Sequence, residues 1–308
     1  MKTLVRSAFL LITLCTQLDA QSVERLIATD ATVKTLAIGF QFTEGPAVAA
    51  DGSVVFSDIP NSRIHHWSTD GKISVLRENT GRANGLFYLP DGRLVACEGG
   101  NRQVTVMGKD GKIKVLANEC NGKKLNSPND LAIRKNGDIF FTDPIYGLPK
   151  RASDPMREID FCGVYRLQKD GTVTLQYKGM SRPNGIGFSP DHNTLYVANS
   201  DGRDPVWRAF PVGKEGNLGA PRAFFDSSKD DRVPRSGGDG LKVDAKGNVF
   251  ATGAGGVLIL SPEGKLLGRL VTGESIANVG WGNDGTVLYL TSDMYLCRIK
   301  TKTKGAGF

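Results

Sequence analysis

Histidine is nearly absent from this chain. There are three in 308 residues: His65, His66 and His192. His65 and His66 are adjacent in a β-rich segment, where neighbouring side chains point to opposite faces. The two cannot jointly face one site, and an imidazole-based metal centre is disfavoured. Cysteine is also scarce. Beyond Cys15 there are Cys97, Cys120, Cys162 and Cys297, and none forms CxxC, the spacing a zinc site needs. After the N-terminus no apolar run is long enough to read as a membrane span. GxSxG, HExxH, GxxxxGK[ST] and an EF-hand loop are all missing. The GAGG at Gly253 lacks a third spaced glycine and sits in a hairpin context, so it is not a dinucleotide loop. The 39 basic and 32 acidic residues are interspersed, giving +7, and only the C-terminal RIKTKTK is a basic cluster. With no basic helix and no aromatic–basic ladder, nucleic acid is not an expected partner.

What the chain does have is glycine, 38 residues, against the ~7% of an average protein. No low-complexity run accompanies them, so they read as punctuation in a turn-rich fold. The first residues, MKTLVRSAFLLITLCTQLDAQS, read as a secretory leader. Lys2 and Arg6 form its basic end, Ala8 to Cys15 its apolar stretch, and Ala20 the small residue before a cut. A lipoprotein reading at Cys15 is disfavoured by the bulky Leu14. The expected organisation is a leader over 1–20 and a single domain over 21–308, secreted or periplasmic. Cleavage leaves a formal charge of +6. In an oxidising compartment Cys120 and Cys162, which flank one long insertion, read equally as a disulfide or as two buried thiols.

The domain is a repeat. AVAADGSVVFSD, LFYLPDGRLVACE, LAIRKNGDIFFTD, IGFSPDHNTLYVAN, LKVDAKGNVFATG and VGWGNDGTVLYLTSD each read as strand, two-residue turn, strand. The turn pairs are Asp51-Gly52, Asp91-Gly92, Asn136-Gly137, Asp191-His192, Lys246-Gly247 and Asp284-Gly285, spaced by 40, 45, 55, 55 and 38 residues. Most units continue into a third and fourth strand, as in HHWSTDGKISVL and VYRLQKDGTVTLQ. Four strands recurring at this period make a propeller blade, and six repeats predict an all-β six-bladed β-propeller. The sixth unit has a third strand, MYLCRIK, but no fourth. The alternating ATVKTLAIGF near the N-terminus is expected to supply it and cover the open sheet edge. An open sandwich would not explain six equal units.

Counting back seven residues from each turn gives Glu44, Asn84, Asn129, Asn184, Asp239 and Ala277. Five of the six carry polar oxygen. Equivalent repeat positions occupy equivalent places around a propeller, here at the start of each innermost strand, so these side chains converge on one mouth of the channel. Turn capping explains an asparagine before glycine but not Glu44 and Asp239 in the same column. Carboxylate and amide oxygens alone suit a hard divalent cation, Ca²⁺ first, with Mg²⁺ or Mn²⁺ as alternatives.

These residues closely resemble the SMP-30/gluconolactonase/LRE-like family over about Gln41 to Arg298. The specific pieces are EGPAV, GRANGL, LNSPNDLAI, FFTDPIYGL, RPNGIGFSPD and GGDGLKVDAKGNV. The resemblance implies a six-bladed propeller with a divalent metal in its channel, held by Glu44, Asn129, Asn184 and Asp239. Asp239 also takes the catalytic position as base or nucleophile, and Asn129 lies beside metal or substrate. Asp143, Tyr146, Asn84 and Glu98 are the further substrate-binding candidates. Two departures stand out: Ser127 where regucalcin-like members carry arginine, and Gly99 where some gluconolactonase-like members carry histidine. The expected function is opening of a sugar lactone or related small ester, with a cation polarising the carbonyl and Asp239 activating water. The alternatives are a phosphotriesterase or fluorophosphatase-like hydrolase and a non-catalytic, calcium-stabilised binding propeller. The expected partner is a small molecule; oligomeric state has no signature in the chain.

Overall fold

The computed structural model describes residues 24–27, 30–253 and 255–308, and the leader expected over 1–20 lies outside them. Short alternating segments bounded by glycine turns pair in sequence order, because a hairpin turn leaves the next strand beside the last. The result is six four-stranded antiparallel sheets. Their innermost strands are Thr43–Val48, Ala83–Tyr88, Leu131–Ile133, Pro183–Phe188, Gly238–Val243 and Ile276–Gly282. This is the six-bladed propeller expected from the repeats. Its ring closes as the N-terminal pattern predicts. Strand Lys34–Ile38 becomes the outer strand of blade six, antiparallel to Tyr295–Lys300, with Lys34 opposite Arg298 and Ile38 opposite Tyr295. The core fills the spaces between neighbouring sheets. Between blades five and six, for example, Phe250, Ile259, Val279 and Leu290 are fully buried, and Phe250 meets Trp281 edge-on at 5.0 Å.

The repeat turns differ from the two-residue expectation. In the first, Ala49 N donates to Ser53 O and Gly52 N donates back to Ala49 O, both at 2.9 Å. Only Gly52 has positive φ, at 85°. A two-residue type I′ turn needs positive φ at both central residues. The loops of blades one to five are instead type I turns closed by one left-handed residue, while that of blade six has two, Asn283 and Gly285. In blade four the closing residue is His192 at φ 59°, its ring stacked on Phe188. The histidines pack: His65 is buried between Phe40 and Phe56, 3.8 Å from Asp58.

Cys97, Cys120, Cys162 and Cys297 are all buried free thiols, so the Cys120–Cys162 disulfide is not formed. Cys120 Sγ donates instead to Val173 O at 3.6 Å. The insertion they flank is pinned by Arg102, whose buried guanidinium donates to Leu125 O and Met156 O at 2.6 and 2.7 Å.

The inner strands approach so closely that only glycine fits at their contacts. A Cβ on Gly45 would lie 2.1 Å from Asn84 O, one on Gly185 2.1 Å from Asp239 O, and one on Gly240 2.1 Å from the Asn278 amide. Gly185→Ala is therefore expected to cost about 2 kcal/mol or more through overpacking, read as a lowered melting temperature. Gly202→Ala, where a Cβ meets nothing within 4 Å, should melt with the parent. Equal melting of all three proteins would contradict the close approach.

Candidate active site in the channel mouth

Five of the six inner strands carry an extra residue at the level of the polar column. Glu44 pairs with Ser57 and Ala47 with Val55, and the same slip recurs between Ala83 and Leu86, Pro183 and Ile186, Gly238 and Leu241, and Ile276 and Asn278. A bulge of this kind bends the strand and re-aims a side chain. Here it turns the column toward the axis. Hydroxyls on the second strands of blades one, three and five then lock the column residues of blades two, four and six to the blade before. Ser57 donates to Asn84 O at 2.8 Å, Thr142 to Asn184 O at 2.8 Å, and Thr252 to Ala277 O at 2.6 Å. These three sit five residues after the turn glycines Gly52, Gly137 and Gly247. That regular offset was the signal by which the sequence could have yielded them.

Glu44, Asn84, Asn129, Asn184 and Asp239 all line one cavity of about 350 Å³, with Tyr146 in its wall. That is at the small end of the range for small-molecule sites. Glu44, Asn129 and Asn184 are at most 5% exposed, while Asn84 and Asp239 are half-buried, facing the cavity. The Tyr146 hydroxyl hydrogen-bonds to Ser200. Two other candidates stand outside the wall. Asp143 is fully buried and accepts the Asn126 and Ser127 N–H groups at 2.8 and 2.6 Å, which holds the turn leading into Asn129. Glu98 is equally buried. It accepts from Asn101, Gln103 and Thr105 and pairs with Arg77 at 2.7 Å.

Asp130 and Asn278 were missed in the sequence. Both stand where four other blades carry glycine after the column residue. Asn278, not Ala277, is the polar residue of blade six, and its Nδ2 donates to Asp130 Oδ2 at 3.2 Å. Lys242 Nζ lies 3.9 Å from the same oxygen. Glu44, Asp130 and Asp239 thus share one buried region with a single ammonium against it. Burial, with repulsion from Asp239 and Asp130, pushes the Glu44 carboxyl well above its ordinary range. Burial and Asp130 push Asp239 up to about 7, against the hydrogen bonds from Asn184 and Glu44. Glu44 and Asp239 line the cavity itself, and carboxylates gathered at one place are the donors a divalent cation takes.

The donors also fit such an ion. The Oδ1 atoms of Asn84, Asn129 and Asn184 are buried without a hydrogen-bond partner. A buried acceptor left unpaired costs about 1–3 kcal/mol, so three facing one cavity point to a ligand that accepts their lone pairs. Among the described residues no three of His, Cys, Asp and Glu cluster as a metal site. The set here is two carboxylates and amide oxygens, the hard-donor chemistry of Ca²⁺ or Mg²⁺.

A six-bladed propeller with a carboxylate–amide site at its channel mouth defines the class. The sequence signature of the SMP-30/Gluconolactonase/LRE-like region matches residues 42–294, and the chain belongs to that family. A gluconolactonase from Zymomonas mobilis is 30% identical over 306 residues, covering 92% of this chain and 85% of its own. The structure of a Xanthomonas campestris gluconolactonase is 32% identical, with a TM-score of 0.84 over 92% of this chain and 94% of that one. A calcium-binding regucalcin from Agrobacterium tumefaciens shares the fold at 19% identity, with a TM-score of 0.73 over 89% and 95% of the two chains.

The raised carboxyls set a pH dependence. In cation-free protein Asp239 keeps its proton up to about pH 7, whereas in the unfolded chain it loses it near ~4. The native state then binds the extra proton between those values. Its stabilising contribution is full below the unfolded value and is lost as pH rises through 7. Chelated protein should therefore melt at lower temperature at pH 8 than at pH 5, and added Ca²⁺ should raise the melting temperature more at pH 8. A calcium shift of equal size at both pH values would contradict the carboxylate assignment.

Proposed function

We propose that the protein is a cation-dependent hydrolase that opens sugar lactones. The observation that carries this is the group of three unpartnered amide oxygens beside Glu44 and Asp239, at the floor of a cavity sized for a small ring. Membership of the family and the gluconolactonase relatives support the substrate class.

In this reading Glu44, Asn129, Asn184 and Asp239 hold a divalent ion, most simply Ca²⁺, with Asn84 beside it. When bound, the ion supplies positive charge that polarises the lactone carbonyl and stabilises charge developing on its oxygen. The chain's own residues do the rest. The half-buried Asp239 takes a proton from the attacking water and returns it to the ring oxygen as the ester C–O bond breaks. One water is consumed and one hydroxy acid is formed. Its native surroundings raise its proton affinity toward neutral pH, where a general base works best, while contact with a cation lowers it again. Asn184, hydrogen-bonded to Asp239, orients that carboxylate. Tyr146, whose hydroxyl burial keeps protonated, is placed with Ser200 to meet a ring hydroxyl.

Two measurements test the proposal. Chelation should abolish opening of glucono-1,5-lactone, and Ca²⁺ should restore it. Asp239→Asn should lower kcat by roughly 100-fold or more in a protein that still melts cooperatively. Undiminished turnover after chelation would sink the cation mechanism, and a near-parental kcat in the variant would remove Asp239 from the chemistry. Calcium-dependent melting with no turnover on any lactone or phosphotriester would leave a binding propeller instead.

A further inference from the structure

The same cavity carries two arginines that the reaction above does not use. Arg82 comes from the turn into blade two and Arg151 from the short 3-10 helix Arg151–Ser153 in the blade-three insertion; both line the cavity. Both have left-handed backbone, at φ 56° and 53°. Side chains of this length rarely adopt that region, and it persists where surrounding structure imposes it. The surroundings are visible. The Arg82 stem lies over Gly100, where a Cβ would come within 3.4 Å of its Cγ and Cδ. Arg151 donates to Tyr146 O, and its guanidinium lies 5.1 Å over the Tyr146 ring. Several other arginines meet carboxylates, as Arg77 does with Glu98, Arg166 with Asp138 and Arg208 with Asp204, while Arg102 is held by backbone carbonyls. Neither Arg82 nor Arg151 has an acidic partner among the described residues.

The lining beside them is small. Gly99 and Ser127 also line the cavity, and a Cβ on Gly99 would meet Pro128 O, Ser127 Cβ and Arg82 O at 3.4–3.9 Å, so neither residue puts a long side chain beside the guanidinium groups. The cavity is thus polarised, with buried carboxylates on one side and, at its exposed edge, two guanidinium groups that have no acidic partner among the described residues. A planar guanidinium favours carboxylate and phosphate through paired, charge-assisted hydrogen bonds. We infer that Arg82 and Arg151 are specificity-determining residues that select lactones bearing an anionic substituent away from the ring carbonyl. The substrate then sits with its carbonyl toward the floor and its carboxylate or phosphate at the mouth. This rests on the lactonase reading above.

The test compares kcat/KM for neutral glucono-1,5-lactone, carboxylated glucaro-1,4-lactone and 6-phosphogluconolactone, each with Ca²⁺ present. One anionic lactone should be preferred by roughly 10-fold or more, the scale of a charge-assisted contact, and which one wins identifies the anion. That preference should shrink with added salt, since these groups are exposed. Arg82→Gln and Arg151→Gln should each lower the anionic-to-neutral ratio, chiefly through KM, and Arg82→Lys should keep part of it. Opening of the neutral lactone at least as well as both anionic ones overturns the inference and leaves the lactonase reading standing. A preference that survives in the double Gln variant overturns the assignment to these arginines. Failure to open any of the three overturns both readings.

Discussion

The structure depends on how closely its six innermost strands approach one another. Backbone oxygen of one blade rests against the Cα of a glycine in the blade before it, at Gly45 against Asn84 and at Gly185 against Asp239. A methyl group at either place would meet backbone, which has no room to shift in a closed ring. The approach is what brings oxygens from blades one to five into one cavity. Two blades break the glycine rule, and they break it together. Asp130 of blade three and Asn278 of blade six put polar side chains where glycine stands elsewhere, and those side chains hydrogen-bond to each other. Polar groups this deep persist only when partnered.

Electrostatics follow from the same geometry. Taking Glu44 and Asp239 out of water beside Asp130 disfavours their charged forms, and Lys242 stands 3.9 Å from Asp130. Amide oxygens that no protein donor satisfies share the cavity with two of these carboxylates. The mouth carries the opposite sign through Arg82 and Arg151. One small cavity is therefore acidic below and basic above, although charges over the whole chain are evenly mixed.

Much of the ring was legible because it repeats. The offset of seven residues from turn to column located Glu44, Asn84, Asn129, Asn184 and Asp239, and all five line the cavity. It failed in blade six, where the column position is Ala277 and the polar residue is Asn278, one residue later, bonded to Asp130. Asp143 and Glu98 carry the right chemistry in the right motifs. Their oxygens, however, are consumed by backbone N–H groups and by neighbouring side chains, a competition no spacing reveals. The hydroxyls of Ser57, Thr142 and Thr252 did leave a regular trace, but its meaning lies in the next blade.

By itself the sequence determined the number of blades, the closing strand and the residue types at the column, because alternation and turn chemistry are local and recur with the repeat. Tertiary structure decided which of those polar groups share a cavity, which are left without partners, and which charges face one another across the channel. Asp130, Asn278 and Lys242 lie far apart in the chain, as do Arg82 and Arg151. Their proximity arises only when the ring closes, and burial, which sets their energetics, is a property of the closed ring.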